Sequence, residues 1–230
     1  RIQHHVSFAY DFKRADNDLE FGTLRISNGA TVVSQFALTY ALNVLDRWGG
    51  TAANIDLNVS PGGMFRLNRD RSFANSRLGA SADYWYLRAN LTRQMVLPVK
   101  MSGYTHLQLQ YSNDNLLGSE QLGLGGYRSV RGYDDYETPS DHGFSVRNEV
   151  RSPGLSPLAI LGRPDLADQM ILLVFSDYAY GRSAERAFGE PGTQLWSAGL
   201  GLRYSIREVL SARLDYGWQL NDLPSSEAGR

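Results

Sequence analysis

Alternation with a period of two, sustained over ten or more residues at a time, constrains this chain more than any other feature. In 210–219, Leu210, Ala212, Leu214, Tyr216 and Trp218 project one way, and Ser211, Arg213, Asp215, Gly217 and Gln219 project the other. Successive side chains of a strand point to opposite faces, so such a segment is a strand with one apolar and one polar surface. The same split runs through 195–206, where Trp196, Ala198, Leu200, Leu202, Tyr204 and Ile206 oppose Ser197, Gly199, Gly201, Arg203 and Ser205. It holds for 32–45 and for 2–13, where Ile2, Val6, Phe8, Tyr10 and Phe12 oppose Gln3, His5, Ser7, Asp11 and Lys13. It recurs near 51–60, 84–97, 99–111 and 144–151, and less regularly over 170–180, which makes nine expected strands. Helical periodicity is nearly absent.

A soluble sandwich or a lipocalin-like barrel also alternates, but turns its apolar face inward. Two details favour the reverse. Strands of 10–14 residues exceed the usual soluble length of about 5–6 and suit the ~10 residues of a membrane-crossing strand. The bulky faces also end in Trp or Tyr (Trp196, Tyr204, Tyr216, Trp218, Tyr178, Tyr180), as an interfacial belt requires, while the polar faces are mostly Gly, Ser, Gln, Asn, Arg and Asp.

The connections alternate in length. Asp46–Gly50, Pro98-Val99 and Ser205–Glu208 are tight turns, and long polar loops lie near 14–30, 61–80, 113–142 and 181–193. Short turns at one end and long loops at the other are the pattern of outer-membrane barrels. The exception is 152–168, a Pro/Gly/Leu-containing connection on the short side. The expected fold is therefore all-β, a transmembrane antiparallel up-and-down barrel. Nine strands do not close evenly, and Arg1 already lies within an alternating segment. The chain is thus expected to be part of a longer barrel protein.

Composition removes other classes. With 23 Lys and Arg against 24 Asp and Glu, no electrostatic case exists for a nucleic-acid partner. The longest apolar run, Met170–Phe175, is far short of the roughly 20 residues of a membrane helix. The chain has no cysteine, which excludes disulfides and thiol chemistry. His4 and His5 face opposite ways, and His106 and His142 are remote in sequence, so no metal-ligand spacing exists. Neither a metal nor another cofactor is expected. Asp141 and His142 read as a polar loop pair near the loop tip rather than as a fragment of a hydrolase. Gly123–Gly126 lacks the following helix that a phosphate loop needs.

One loop departs from this regularity. It contains Gly125-Gly126-Tyr127-Arg128-Ser129-Val130-Arg131-Gly132-Tyr133-Asp134-Asp135-Tyr136 and leads into Gly143-Phe144-Ser145-Val146-Arg147-Asn148-Glu149. A charged residue at a tight glycine-bearing turn, between strands that face lipid, points to a loop folded into the lumen. These motifs resemble those of two-partner secretion transporters of the haemolysin-activator type, within the superfamily of outer-membrane barrels preceded by POTRA domains. In that family a Val-Arg-Gly-[Phe/Tyr] tetrapeptide tips an extracellular loop that folds back into a sixteen-stranded barrel. A second motif, Phe-x-Asp-x-Gly on a following strand, supplies an inward aspartate for the loop arginine. Phe175-Ser176-Asp177-Tyr178-Ala179 matches it except for Ala179 in place of glycine.

The resemblance covers essentially all 230 residues. It implies strands seven to fifteen of sixteen, with POTRA domains, early strands and the closing strand outside the chain, and with 113–142 as the inward-folded extracellular loop. It further implies Val130, Arg131, Gly132 and Tyr133 as the loop motif, Asp177 as the luminal partner of Arg131, Phe175 as packing beneath it, and Glu149 as secondary support. Asp177 shares its strand phase with Ile171, Leu173 and Phe175, and Glu149 shares an inward face with Ser145, Arg147 and Arg151. The implied function is export of one large, unfolded, β-helical exoprotein across a Gram-negative outer membrane. The implied surroundings are lipid and lipopolysaccharide around a monomeric barrel. Two alternatives stay open: a barrel-assembly insertase of the same superfamily, and a passive porin.

Overall fold

The computed structural model describes residues 1–21, 24–185, 191–221 and 223. The strands are β1 (Ile2–Phe21), β2 (Leu24–Asp46), β3 (Gly49–Pro61), β4 (Asp83–Val96) and β5 (Ser102–Ser112), then β6 (Leu122–Leu124) and β7 (Thr138–Ser140). They are followed by β8 (His142–Arg151), β9 (Asp168–Arg182), β10 (Thr193–Ile206) and β11 (Leu210–Gln219). Among the described residues, β1–β5 and β8–β11 form one nine-stranded antiparallel sheet in chain order, with β1 and β11 at its edges. This is an up-and-down section of a transmembrane barrel wall that the described strands do not close.

The bulky faces point outward, as the alternation requires. Phe8 is 70% exposed and Leu214 67%, with Tyr216 and Trp218 beside it. An apolar surface this continuous is untenable in water and is the surface a bilayer covers. Cross-strand aromatic pairs knit it together. Tyr10 faces Phe36 directly across the β1–β2 ladder, and their ring centroids are 5.3 Å apart. The inward face is lined by buried Gln110, Ser145, Arg147, Glu149, Asp177 and Ser197.

Three connections differ from the sequence reading. The expected loop over 14–30 is largely strand: β1 runs to Phe21 and β2 resumes at Leu24. A strand that projects beyond the bilayer keeps its ladder hydrogen bonds but loses the apolar face by which a membrane strand is recognised. The loop over 61–80 carries a short helix, α1 (Asp70–Ser76), whose Phe73 packs on Tyr84 of β4. The connection after β8 carries α2 (Pro157–Ile160), with Ser156 as its N-cap. Of the expected loop over 181–193, residues 186–190 lie outside the described residues.

Candidate functional site: the inturned loop and its seat

The loop between β5 and β8 carries its own minimal structure. β6 pairs with β7, and the Ser129 hydroxyl bonds both the amide and the carbonyl of Gly125. Leu122, Leu124, Val130 and Tyr133 of the loop cluster with Ala179 of β9, Leu195 of β10 and Leu223. The loop therefore buries a small apolar core against the inner face of β9 and β10. Ala179, which stands where the family motif has glycine, is fully buried in this cluster. Its methyl group packs under the loop rather than obstructing it.

The seat of the tip follows from the strand register. One row across the wall runs Glu149, Phe175, Gly199, Gly217, because Glu149 faces Phe175, Phe175 faces Gly199, and Gly199 faces Gly217. A Cβ at Gly199 would lie 2.4 Å from the Phe175 ring. The bare backbone there lets that ring lie along the wall. The Arg131 guanidinium stacks on the ring, 3.6 Å from its centroid. Gly132 has φ +95°, and its Cα approaches the β11 backbone so closely that a Cβ would meet the Gly217 carbonyl oxygen at 2.9 Å. Gly217 is bare for the reciprocal reason: its own Cβ would meet the Arg131 carbonyl oxygen at 2.9 Å. Gln219 Nε2 donates to the Gly132 carbonyl at 2.7 Å.

Arg131 is 3% exposed and meets two carboxylates at hydrogen-bond distance. Its Nε and Nη2 donate to Asp177 at 2.7 and 2.8 Å, a two-point fork. Its backbone N–H adds a third donor to Asp177 at 3.2 Å. Nη1 donates to Glu149 at 2.6 Å and lies 3.6 Å from Asp215 of β11. Burial alone favours a neutral side chain, but hydrogen bonds and charge from Asp177 and Glu149 outweigh it, so Arg131 holds its proton more tightly than usual. Glu149 is also held by Arg151 at 2.6 Å. Tyr133 reaches sideways: its hydroxyl oxygen lies 3.0 Å from the Trp196 carbonyl oxygen and 2.8 Å from Asn221 Oδ1. The structure thus brings Arg131, Phe175, Asp177 and Glu149 into one cluster, with Gly132 and Tyr133 touching the wall beyond it.

Both roots of the loop are tied by acids that sequence reading did not single out for this role. Asp141 accepts a two-point pair from Arg77 at 2.6 and 2.7 Å, and further bonds from the Leu116 and Ala184 amides at 3.0 Å. Asp141 is therefore paired with a residue of the β3–β4 loop and is not a neighbour of Arg131 in the tip cluster. His142 packs against Tyr111 with the rings tilted by 35° and their centroids 4.6 Å apart. Glu120, 1% exposed, accepts from Lys13 at 2.9 Å, Gln35 at 3.0 Å and Tyr86 at 2.9 Å. Burial resists ionisation of Glu120, but these donors outweigh it, so its carboxyl titrates below the usual range.

A group whose folded pKa is depressed contributes stability above its unfolded pKa and loses it as pH falls through the folded value. Protection of residues 116–124 against hydrogen exchange, taken relative to the intrinsic rate at each pH, is therefore expected to hold at neutral pH and to be lost in acid as the pH falls through the lowered carboxyl value of Glu120. Glu120→Gln should remove that step and give fast exchange throughout. An equally slow root in the variant at neutral pH would contradict this role.

The family model described as haemolysin secretion/activation protein ShlB/FhaC/HecB matches residues 2–204. Among solved structures, CdiB from Escherichia coli shares the fold with a TM-score of 0.74 at 19% sequence identity, over 96% of this chain and 38% of that one. The chain thus spans well under half of CdiB. No curated protein matches it.

Proposed function

We propose, because this chain belongs to the haemolysin secretion/activation family ShlB/FhaC/HecB, the two-partner secretion transporters, that it forms part of the wall and the inturned loop of an outer-membrane pore that exports a separate secreted protein. The family is one of transporters rather than enzymes. The cargo is a large polypeptide that crosses unfolded and gains its free energy by folding outside, so neither nucleotide nor metal is invoked.

The observation that carries this reading is the seating of Arg131 in a buried two-point pair with Asp177. A charge pair in a narrow polar lumen is less screened than a surface pair, yet its hydrogen bonds can be exchanged one at a time. Such a tie holds the loop across the lumen while allowing cargo to displace it. The apolar contacts of Val130 and Tyr133 with Ala179 and Leu195 set where the loop returns.

A charge exchange tests the pairing. Arg131→Asp alone and Asp177→Arg alone each place like charges together in a buried site and should abolish export. The double exchange should restore a measurable part of it, scored as cargo in the medium per inserted barrel. No recovery in the double variant would contradict direct pairing as the working contact.

A further inference from the structure

Below the loop tip, toward the short-turn end of the wall, lies a polar cavity of about 430 Å³. Ser205 and Ser211, beside the β10–β11 turn, line its lower part, and Tyr127 and Arg147 line its upper part. Arg147, Arg151, Arg203 and Arg213 line it. With Arg131 they make five guanidinium groups, and their carboxylate partners among the described residues are Asp177, Glu149 and Asp215. Positive charge is therefore in excess by two.

These carboxylates are already engaged. Asp177 is taken by Arg131, Glu149 is shared between Arg131 and Arg151, and Asp215 holds Arg203 at 2.9 Å. Arg147 is left short. It is 8% exposed, its closest approach to Glu149 is 3.5 Å, and its buried Nε has no hydrogen-bond partner among the described residues. The Arg213 hydrogen bond goes to a neutral group, the Tyr127 hydroxyl, at 3.0 Å. Tyr127 and Tyr104 lie under Arg147 and Arg151, at 5.5 and 4.9 Å from guanidinium carbon to ring centroid. A ring face steadies a guanidinium while leaving its in-plane N–H groups for an acceptor.

We propose that this chamber binds the carboxylate side chains of an extended polypeptide as it approaches the loop tip from the short-turn end. Unmet donors and surplus positive charge call for an anion. The breadth of the chamber favours a polypeptide over a small ion: Gln94 and Gln169 line it alongside the arginines and offer amide partners to a peptide backbone. The proposal rests on the reading of the lumen as a path for exported protein. It adds a chemical preference to that path, for segments carrying Asp or Glu, bound just before the Arg131 pair is challenged.

The test uses the intact transporter in a non-ionic detergent and two peptides of equal length carrying the same uncharged dye, one of alternating Glu and Ser and one of alternating Gln and Ser. At low salt the Glu peptide should bind at least ~tenfold more tightly, and the advantage should fade toward 0.5 M salt, roughly, as screening shortens the reach of each charge. Arg147→Gln with Arg213→Gln should erase the advantage. Arg213→Glu alone, at an exposed position where the substitution buries no charge, should reduce it by several-fold, which guards against misfolding of the double variant. Equal binding of the two peptides, or an undiminished advantage in both variants, would overturn the proposal. Displacement of the Glu peptide by sulfate at equal concentration would overturn it too, in favour of a small-anion site. Export assayed on the same wild-type protein separates the two readings: export without peptide preference removes only the chamber.

Discussion

Replacing Arg131 by alanine is expected to remove most export while leaving the barrel in the membrane. The change deletes a two-point pair and a third charge-assisted bond and leaves Asp177, which is fully buried, and Glu149 without their shared cation. Breaking one side of a buried pair costs about 3–5 kcal/mol, and less where water reaches the site. At 1.4 kcal/mol per tenfold, a loss of ~3 kcal/mol lowers the docked-to-undocked ratio of the loop by roughly a hundredfold. The wall itself should stand, because its ladders run between neighbouring strands and none depends on the loop. Cargo in the medium should fall at least ~tenfold at constant barrel content, by that arithmetic. Arg131→Lys should recover only part, since an ammonium lacks the planar fork and the ring stacking. Unchanged export in Arg131→Ala would contradict the account.

Gly132→Val is expected to do comparable damage with every charge intact. The new Cβ would meet the Gly217 carbonyl oxygen at 2.9 Å, and the left-handed φ of +95° is one that a β-branched residue rarely adopts. The tip must then retreat from β11, which withdraws the Arg131 guanidinium from Asp177 and the Gly132 carbonyl from Gln219. Strain of this kind costs about 1–3 kcal/mol. Loss of the seated fork follows, so export should drop several-fold to tenfold. Gly217→Val on the opposite wall should give the same phenotype, because its Cβ would meet the Arg131 carbonyl oxygen. A defect in one variant without the other would mean that the close approach of the two backbones is not what seats the tip.

The wall was legible in the sequence because a lipid-facing strand needs a bulky apolar residue at every second position. Leu210 to Gln219 carries that pattern without a break, and β11 ends where it ends. The pattern fails where lipid is absent, so β1 and β2 run on past the point where alternation stops marking them. Strand phase placed Asp177 and Glu149 on the inner face, because facing is a local property of the strand.

The ties at the loop roots were not legible. Arg77–Asp141 spans 64 positions and Lys13–Glu120 spans 107, and loop residues carry no periodicity from which to infer a partner. Gly217 and Asp215 stood in plain view on the polar face of the last strand. What the sequence did not show was that the tip crosses four strands of wall to touch them. The one available signal was the run of glycines at 199, 201 and 217 on inward positions of adjacent strands, which marks a groove where another backbone lies close.

The most direct measurement is a distance between the loop and the wall in the intact transporter. Spin labels at Arg128, exposed on the loop, and at Ser176, exposed on the outer face of β9, report whether the tip is seated; the chain has no cysteine to interfere with labelling. Pulsed dipolar spectroscopy should give one narrow distance in the wild type and a broad, longer distribution once Arg131 is alanine. A distribution that is already broad in the wild type, or one that stays narrow and unmoved in the variant, would contradict the claim that this arginine holds the loop in the lumen.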